Sequence, residues 1–322
     1  MTALLKAIAE AGERLVKASN GEIDFDAQQA LWRGDELELA SPGLWSPNRH
    51  CRLIQTKDDW IAVSLARQDD IDLLPAWIGT EFDAEPWEAL ITTAAQRTAK
   101  DMVETAIGLH LPVALAGESD PLDPPLLPDR NTAASTILDL SALWAGPYCG
   151  GLLAEAGHRV IKIESPGRPD PTALHTPKLN NRLNGKKEHR CMNLATPDLL
   201  EMIDNARVII TSARPHALAR LGLNEKQVFV RNPDLLWIAI TAHGWNEKAA
   251  MRVGFGDDCA VAGGLINWDE ETKPQFIGDA LADPLTGLMA ATLALEALDS
   301  DKAGLLDISL ARTAATFARK MT

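Results

Sequence analysis

The sequence predicts an α/β protein in which a Rossmann-like, doubly wound parallel sheet follows a small α+β domain. Three observations predict it. Thr136–Ser165 reads as strand, turn, helix and strand, a βαβ unit in about thirty residues. Short apolar runs and helical stretches keep alternating after it, as in doubly wound sheets. A break at Glu118–Arg130, with four prolines in thirteen residues, separates this half from an N-terminal half of different pattern. Proline fixes φ and blocks helix and sheet interiors, so the break reads as an extended linker. The expected division is a small domain over 1–118 with an N-terminal helix, a linker over 119–131 and a large domain over 132–322.

The first eighteen residues, MTALLKAIAEAGERLVKA, read as an amphipathic helix with charges throughout. They lack the unbroken apolar core of a signal peptide. Arg52-Leu53-Ile54 and Trp60–Leu65 flank Lys57-Asp58-Asp59 as a hairpin, with side chains alternating in the second strand. Helices are expected from about Gln68 to Ile78, over Pro86–Thr98 and over Thr98–Gly108.

In the second half, Ile137, Leu138 and Leu140 form a run suited to a strand buried on both faces. Gly146-Pro147 is expected to break this run in a tight turn, Gly150–Ala156 to form a helix and Gly157 to end it. Val160–Ile163 supplies the next strand, parallel to the first through a right-handed crossover. Ligands of such sheets bind at carboxyl ends of strands beside helix N-termini, which directs attention to Ser141–Gly146. Val208–Thr211 and Trp237–Thr241 read as further strands. Thr196–Asn205, Asn224–Val230 and Thr286–Leu298 read as helices.

The formal charge of −14 argues against nucleic acid or a membrane surface as partner. No run of eighteen apolar residues is present to span a membrane. The four cysteines are widely spaced, without a CxxC pair, which argues against a zinc site and for reduced thiols in a cytoplasmic setting. A basic cluster interrupts the acidic background: Lys162, Arg168, Lys178, Arg182, Lys186, Lys187 and Arg190. It is either a local anion site or a solvated loop, and within about 10 Å it would outweigh the distant acidic charge.

The order of several motifs resembles the family III CoA-transferases, the group of formyl-CoA transferase, carnitine CoA-transferases and α-methylacyl-CoA racemases. The resemblance rests on Asp139-Leu140-Ser141 with Ala145-Gly146-Pro147 and Cys149, then Val160–Gly167, then Leu183–Lys187. It continues through Val208–Gly222, Asn232–Gly244, Ala282–Gly287 and Leu306–Leu310. It covers roughly residues 135–312. It implies an enzyme that moves coenzyme A between an acyl-CoA and a carboxylic acid acceptor, with no metal, as a homodimer.

Residue by residue, the resemblance makes Asp283 the nucleophile, forming an acyl anhydride and then an aspartyl-CoA thioester. Locally, Asp283-Pro284 also fits a helix N-terminus, with aspartate as cap. Ala142, Leu143, Trp144 and Ala145 match the turn that contacts CoA, although Trp144 equally suits a core. Lys162 belongs to the basic cluster that would face phosphates. Ser212 and Ala213 fall where the family carries Asn-Phe, and Arg220 matches an arginine at the nucleotide end. His243 is either a phosphate contact or a turn residue. Asp257 falls where transferases carry a carboxylate.

Departures also occur. Thr241 replaces a lysine of some members, and Ser165 an arginine. Leu298–Gly304 is acidic where a glycine-rich turn is usual. Gly254–Asp258 holds no histidine where the family racemases carry a His-Asp pair, which argues against racemase proton transfer. The small domain precedes the large one here, whereas it is ordinarily inserted after the V-D-V-S-L segment, so the order is permuted. These departures keep open a degenerate CoA-binding paralogue or a structural partner of a full-length transferase. A dinucleotide enzyme is disfavoured, because Gly146, Gly150 and Gly151 do not give the spacing of G-x-G-x-x-G.

Overall fold

The computed structural model describes residues 2–81, 85–130 and 134–321. The end of the first segment and start of the third flank three-residue gaps, so Thr132 and Ala133 of the expected domain boundary lie outside the described residues. The large sheet has six strands: β4 (Ile137–Asp139), β5 (Val160–Glu164), β6 (Glu188–Cys191), β7 (Val208–Thr211), β8 (Leu236–Thr241) and β11 (Gly304–Ser309). Their spatial order is β11-β8-β7-β4-β5-β6, and every pairing is parallel. The order reverses direction at β4, which makes the turn after Asp139 the topological switch point. Two further two-residue strands, β9 (Asn267–Trp268) and β10 (Pro274–Gln275), form a separate antiparallel ribbon.

Both faces of the sheet are covered, which is why its central strands are uniformly apolar. Ile137, Val208, Ile210, Ile238 and Ile308 point into one core with helices Ala145–Glu155, Ala282–Asp299 and Leu310–Arg319. Leu138, Ile161, Ile209 and Trp237 point into another with helices Pro197–Asp204, Pro215–Arg220 and Glu225–Arg231. Edge strand β6 is exposed along its whole length, and its short, charged sequence suits an edge that must not pair with other chains.

The small sheet has the order β1-β2-β3, with β1 (Cys51–Gln55), β2 (Trp60–Ser64) and β3 (Val113–Leu115), all antiparallel. One face packs on helices Pro86–Ala94 and Ala99–Gly108. The other, through Cys51, Leu53 and Ala62, meets Val261, Ile266 and Phe276. The expected helix over Gln68–Ile78 is two pieces, Gln68–Asp72 and Leu74–Ile78, with Pro75 in the first turn of the second. The segment 119–130 forms no helix, and a β-bridge joins its Asp129 to Lys302. It runs across helix Leu310–Arg319, where Leu122 N donates to Arg312 O.

Two expectations need adjusting. Helix Ala145–Glu155 begins a full turn before Gly150, so Gly146-Pro147 lies in the first turn of the helix and does not form a separate turn before it. Proline costs nothing there, because first-turn N–H groups have no intrahelical partner. The N-terminal helix Thr2–Ala18 buries Leu4, Ile8 and Leu15 in the core of the large sheet, beside helix Ala282–Asp299. In space it belongs with the large half, although it precedes the small one in the chain.

A buried charge network anchors the switch point. Lys187 Nζ donates to Asp139 Oδ2, Pro147 O and Asn184 Oδ1, each at 2.7 Å. Asp139 also accepts from Ser141 N at 2.9 Å and from the Ser141 hydroxyl. The Asp139 carboxyl lies below its ordinary range: burial works against this, but the charges of Lys187 and Lys162 outweigh it. Lys187→Met leaves the Asp139 charge without its ammonium, so urea denaturation should show a loss of about 3–5 kcal/mol. A loss below about 1 kcal/mol would mean that the pair does not hold the turn.

Candidate active site

The turn after β4 is bent tightly. Leu143 has φ 71°, a left-handed conformation that a leucine adopts only when its surroundings hold it there. Its N–H donates to Asp170 Oδ2 at 3.0 Å, and Ala142 N donates to Ser212 Oγ at 3.0 Å. Lys162 Nζ lies beneath the turn, donating to Ser141 O and 3.7 Å from Asp170. At 1 % exposure the Lys162 side chain shapes the turn from below and presents no charge at the surface.

Beside this turn three aspartates meet. Asp257 is in the first turn of helix Gly256–Ala262, and Asp283 is in the first turn of helix Ala282–Asp299. Asp279 lies in the loop before the second helix. Asp283 therefore stands just inside its helix, where the sequence suggested a cap; the residue at the cap position is Leu281. Asp257 is fully engaged: Oδ1 accepts from Ala280 N at 2.7 Å and Oδ2 from Asn48 Nδ2 at 2.7 Å. The same Asn48 amide donates to Asp279 Oδ1 at 2.7 Å. Arg33 holds Asp279 with both arms, at 2.5 and 3.0 Å, and its guanidinium lies 5.0 Å from the centre of the Trp144 ring. Among the described residues no hydrogen bond reaches the Asp283 carboxylate, and its side chain is only partly covered.

The chemistry of Asp283 follows from this crowding. Burial, chiefly, raises its carboxyl to about 7; Arg33 pulls it back, while Asp257, Asp258 and Asp279 push it further up. Asp257 is raised to about 6 by burial and the neighbouring Asp279. Asp258 reaches about 7, mainly through burial, although it accepts from Ser64 Oγ at 2.7 Å and from Phe255 N at 2.9 Å. Two glycines make the approach possible. A Cβ on Gly256 would strike Asp283 Oδ2 and Ala280 O. One on Gly287 would lie 2.7 Å from Ala145 O, so helix Ala282–Asp299 rests directly on the helix that follows the turn.

Residues 133–322, more than half of the chain, match the family described as CoA-transferase family III. The chain belongs to that family. Over 184 residues it is 30% identical to a succinyl-CoA–D-citramalate CoA-transferase of Chloroflexus aurantiacus, covering 53% of this chain and 46% of the relative. Over 191 residues it is 31% identical to the probable fatty acyl-CoA transferase Rv3272 of Mycobacterium tuberculosis, covering 53% and 48%. The crystal structure of that Mycobacterium tuberculosis protein superposes with a TM-score of 0.50 at 28% identity, over 59% of this chain and 56% of the other. The chain spans about half the length of the curated relatives it matches.

The site residues read from the family motifs fall into separate places. Asp283 and Asp257 come together, next to Trp144 and Ala145. Trp144, however, is 2 % exposed and packs on Leu179, Leu183 and Ala280, with Arg33 over its face. Ser212 and Arg220 are exposed and Ala213 half-buried, all beyond the carboxyl end of β7. His243 is buried, and burial together with the charge of Arg252 holds it well below the usual imidazole range, so it is neutral.

The stretch 162–190 does not form one basic patch, because Lys162 and Lys187 are buried in ion pairs and Lys186 pairs with Glu155. A different basic group lies outside β7. Arg214 feels the charges of Arg67 and Arg220, and His216 those of Arg214 and Arg220.

Arg33, Asn48 and Arg67 were not legible as site residues. Each is a lone side chain in or beside an irregular segment with no spacing pattern. Lys162 did carry a signal: a lysine inside a strand buried on both faces must have an internal partner. Among the described residues one set of metal-capable donors gathers, His243, Asp258 and Cys259, within 4.8 Å of one another. The Arg252 charge acts on both His243 and Cys259 and opposes a cation there, while burial favours the neutral forms of all three groups.

The raised aspartates tie stability to pH. Their native forms hold protons more tightly than the unfolded chain does. The stability this contributes is present at acid pH and is lost as pH rises from about 4 to about 7. Asp283→Asn should therefore melt at a higher temperature than the parent at about pH 8, with the gap closing as pH falls toward about 4. A gap independent of pH in thermal melts would contradict the raised Asp283 carboxyl.

Proposed function

We propose that this protein transfers coenzyme A between carboxylic acids, with Asp283 as the nucleophile. The observation that carries the reading is the Asp283 carboxylate itself. It is free of hydrogen bonds among the described residues, partly open, and set beside the turn at the switch point of the sheet. Its two neighbours are held elsewhere, Asp257 by Ala280 N and Asn48 and Asp279 by Arg33. Family membership and the transfer of CoA by the named relatives support the same reading.

In this mechanism the Asp283 carboxylate attacks the thioester carbonyl of an acyl-CoA. The C–S bond breaks, CoA leaves as thiolate, and an acyl-aspartyl anhydride remains. The thiolate then attacks the Asp283 carbonyl carbon, releasing the donor acid and leaving an aspartyl-CoA thioester. The acceptor carboxylate attacks that thioester, and the expelled thiolate takes the new acyl group, which restores Asp283. No proton is consumed, so the protein must chiefly keep one carboxylate ionised and exclude water. The N–H groups of the first turn of helix Ala282–Asp299 are suited to the negative charge that develops on the reacting carbonyl.

Coenzyme A is assigned to the turn Ala142–Ala145, its pantetheine arm passing toward Asp283. The phosphates are assigned to the basic group of Arg67, Arg214 and Arg220, which sits at the carboxyl end of β7. Neutral, buried His243 is better suited to the wall of the site than to a phosphate contact. Ser212 acts through its bond to Ala142 N. The domain order, 1–118 before 132–322, is read as a permutation of the family arrangement. Packing of helix Thr2–Ala18 against the large sheet supports this, because that helix brings the chain from the large half into the small one.

In an exchange assay with isotopically labelled acid, Asp283→Ala should abolish turnover while CoA binding by calorimetry stays within about threefold. The parent rate should rise with pH along an acid limb near 7, as ionisation of Asp283 requires. Turnover in Asp283→Ala would refute the mechanism. Retained CoA binding with no turnover in the parent would favour the degenerate binding paralogue. The protein is proposed to be a homodimer, as the family resemblance implies. Sedimentation at micromolar concentration should give the dimer mass, and a monomer would refute this.

A further inference from the structure

The region that matches the family begins at residue 133, and it contributes the aspartates of the site but, among the described residues, no cation that touches them. That cation, Arg33, comes from a strap between helix Thr2–Ala18 and β1 that is irregular apart from the short helix Ala27–Leu31. The strap is fastened to the large half on both sides of Arg33. Gln29 O accepts from Arg182 Nη1 at 2.7 Å. The Glu36 carboxylate accepts from Lys178 N at 2.7 Å and Leu179 N at 2.8 Å, satisfying two N–H groups at the start of helix Pro177–Asn184. Further along, Gly43 O accepts from Phe276 N, and Asn48 reaches Asp257 and Asp279. Arg33 is thus fixed from several directions, with its two arms on Asp279 and its face on Trp144.

We propose that Arg33 is the positioning residue of this site: held by Asp279 and Trp144, it sets a fixed cation against the acids that crowd Asp283 and so favours its carboxylate form. The proposal rests on the reading of Asp283 as nucleophile. Its physical basis is a balance of charge. Arg33 grips Asp279 with two arms, Asn48 joins Asp279 to Asp257, and Asp257 holds the N–H of Ala280 in the loop that leads into Asp283. From these positions Asp257, Asp258 and Asp279 push the Asp283 carboxyl up and the Arg33 charge pulls it back. Cys259, on the same helix as Asp257, has its thiol pushed up by burial and is neutral. Tyr148, from the helix packed against Gly287, is also kept neutral by burial. Helix Thr2–Ala18 brings Arg14, which pairs with Glu296 at the far end of the nucleophile helix. Helix Leu310–Arg319 brings Arg312, which donates to Pro121 O.

Arginine suits the position better than lysine. A planar guanidinium can lie over an indole and grip a carboxylate with two arms at once, whereas an ammonium does one or the other. The Arg33 guanidinium stays firmly protonated: burial works against it, but the bonds and charge of Asp279 outweigh burial, and Asp283 and Asp257 add to them. The contact with Trp144 also links this cation to the turn assigned to CoA.

The test uses the full chain with Arg33→Met, Arg33→Lys and Asp279→Asn. The acid limb of the exchange rate should move up by about one pH unit in Arg33→Met, a tenfold loss at a pH below the limb that is largely recovered about two units above it. The KM for acyl-CoA should stay within about twofold, and Arg33→Lys should fall between parent and Arg33→Met. Asp279→Asn removes an acid and releases Arg33, so its limb should move down. The same shifts are read without substrate by carbon-13 titration of the Asp283 carboxyl, assigned by its loss in Asp283→Asn.

A uniform rate loss at every pH in Arg33→Met, or an unmoved Asp283 titration, overturns the proposal. If Arg33→Met does not fold, an unmoved limb in both Arg33→Lys and Asp279→Asn overturns it. If no variant or parent turns over but the titration moves as stated, the transferase reading fails and the role of Arg33 stands.

Discussion

The site depends on one close approach, that of helix Ala282–Asp299 to helix Ala145–Glu155. Backbone lies against side chain where Gly287 faces Ala145 O and Tyr148, and no larger residue fits there. This contact fixes where the first turn of helix Ala282–Asp299, which carries Asp283, emerges. It emerges beside the turn after β4, at the point where the parallel sheet changes direction. Gly256 allows the second approach, of helix Gly256–Ala262 to the Asp283 carboxylate and Ala280 O. Small residues thus determine where the charged ones can be, and the charged ones follow from backbone geometry.

Crowding is the price of this arrangement. Asp257, Asp258 and Asp283 all lie above the ordinary aspartate range, chiefly because burial disfavours their charge. The fold meets the problem unevenly. Asp258 is tied to Ser64 of the small sheet, Asp257 to a backbone amide and Asn48, and Asp279 to Arg33. Asp283 alone is left without a hydrogen bond among the described residues. An aspartate kept free among acids that are otherwise engaged is what the proposed nucleophile requires. At the opposite side of the turn the charges are fully paired. Lys187–Asp139 and Lys162–Asp170 are buried and engaged, so they hold shape and contribute no reactivity.

Much of the fold was legible in the sequence. The double-sided apolar runs at Ile137–Leu138, Val208–Thr211 and Trp237–Thr241 lie in central strands because parallel sheets bury both faces. The hairpin of β1 and β2 pairs Gln55 with Trp60, as the break at Lys57–Asp59 implied. The start of helix Ala145–Glu155 was misplaced because Gly-Pro reads as a break unless one knows that it occupies a first turn. In the site, Asp283 stood out because its motif is continuous in the chain. Arg33, Asn48 and Arg67 did not, because their roles come from contacts more than two hundred residues apart for Asn48–Asp257 and Arg33–Asp279. The basic stretch 162–190 misled for a related reason: charge counted along the chain says nothing about which side chains turn inward.

The central claim is that Asp283 carries acyl and CoA groups in turn. The most direct measurement is mass spectrometry of the protein incubated with a panel of acyl-CoAs, with hydroxylamine to trap the activated carboxyl. The account predicts an acyl- or CoA-sized adduct before trapping and a hydroxamate afterwards, both on the peptide containing Asp283. An adduct confined to another residue, or none with any acyl-CoA while CoA still binds, would contradict it.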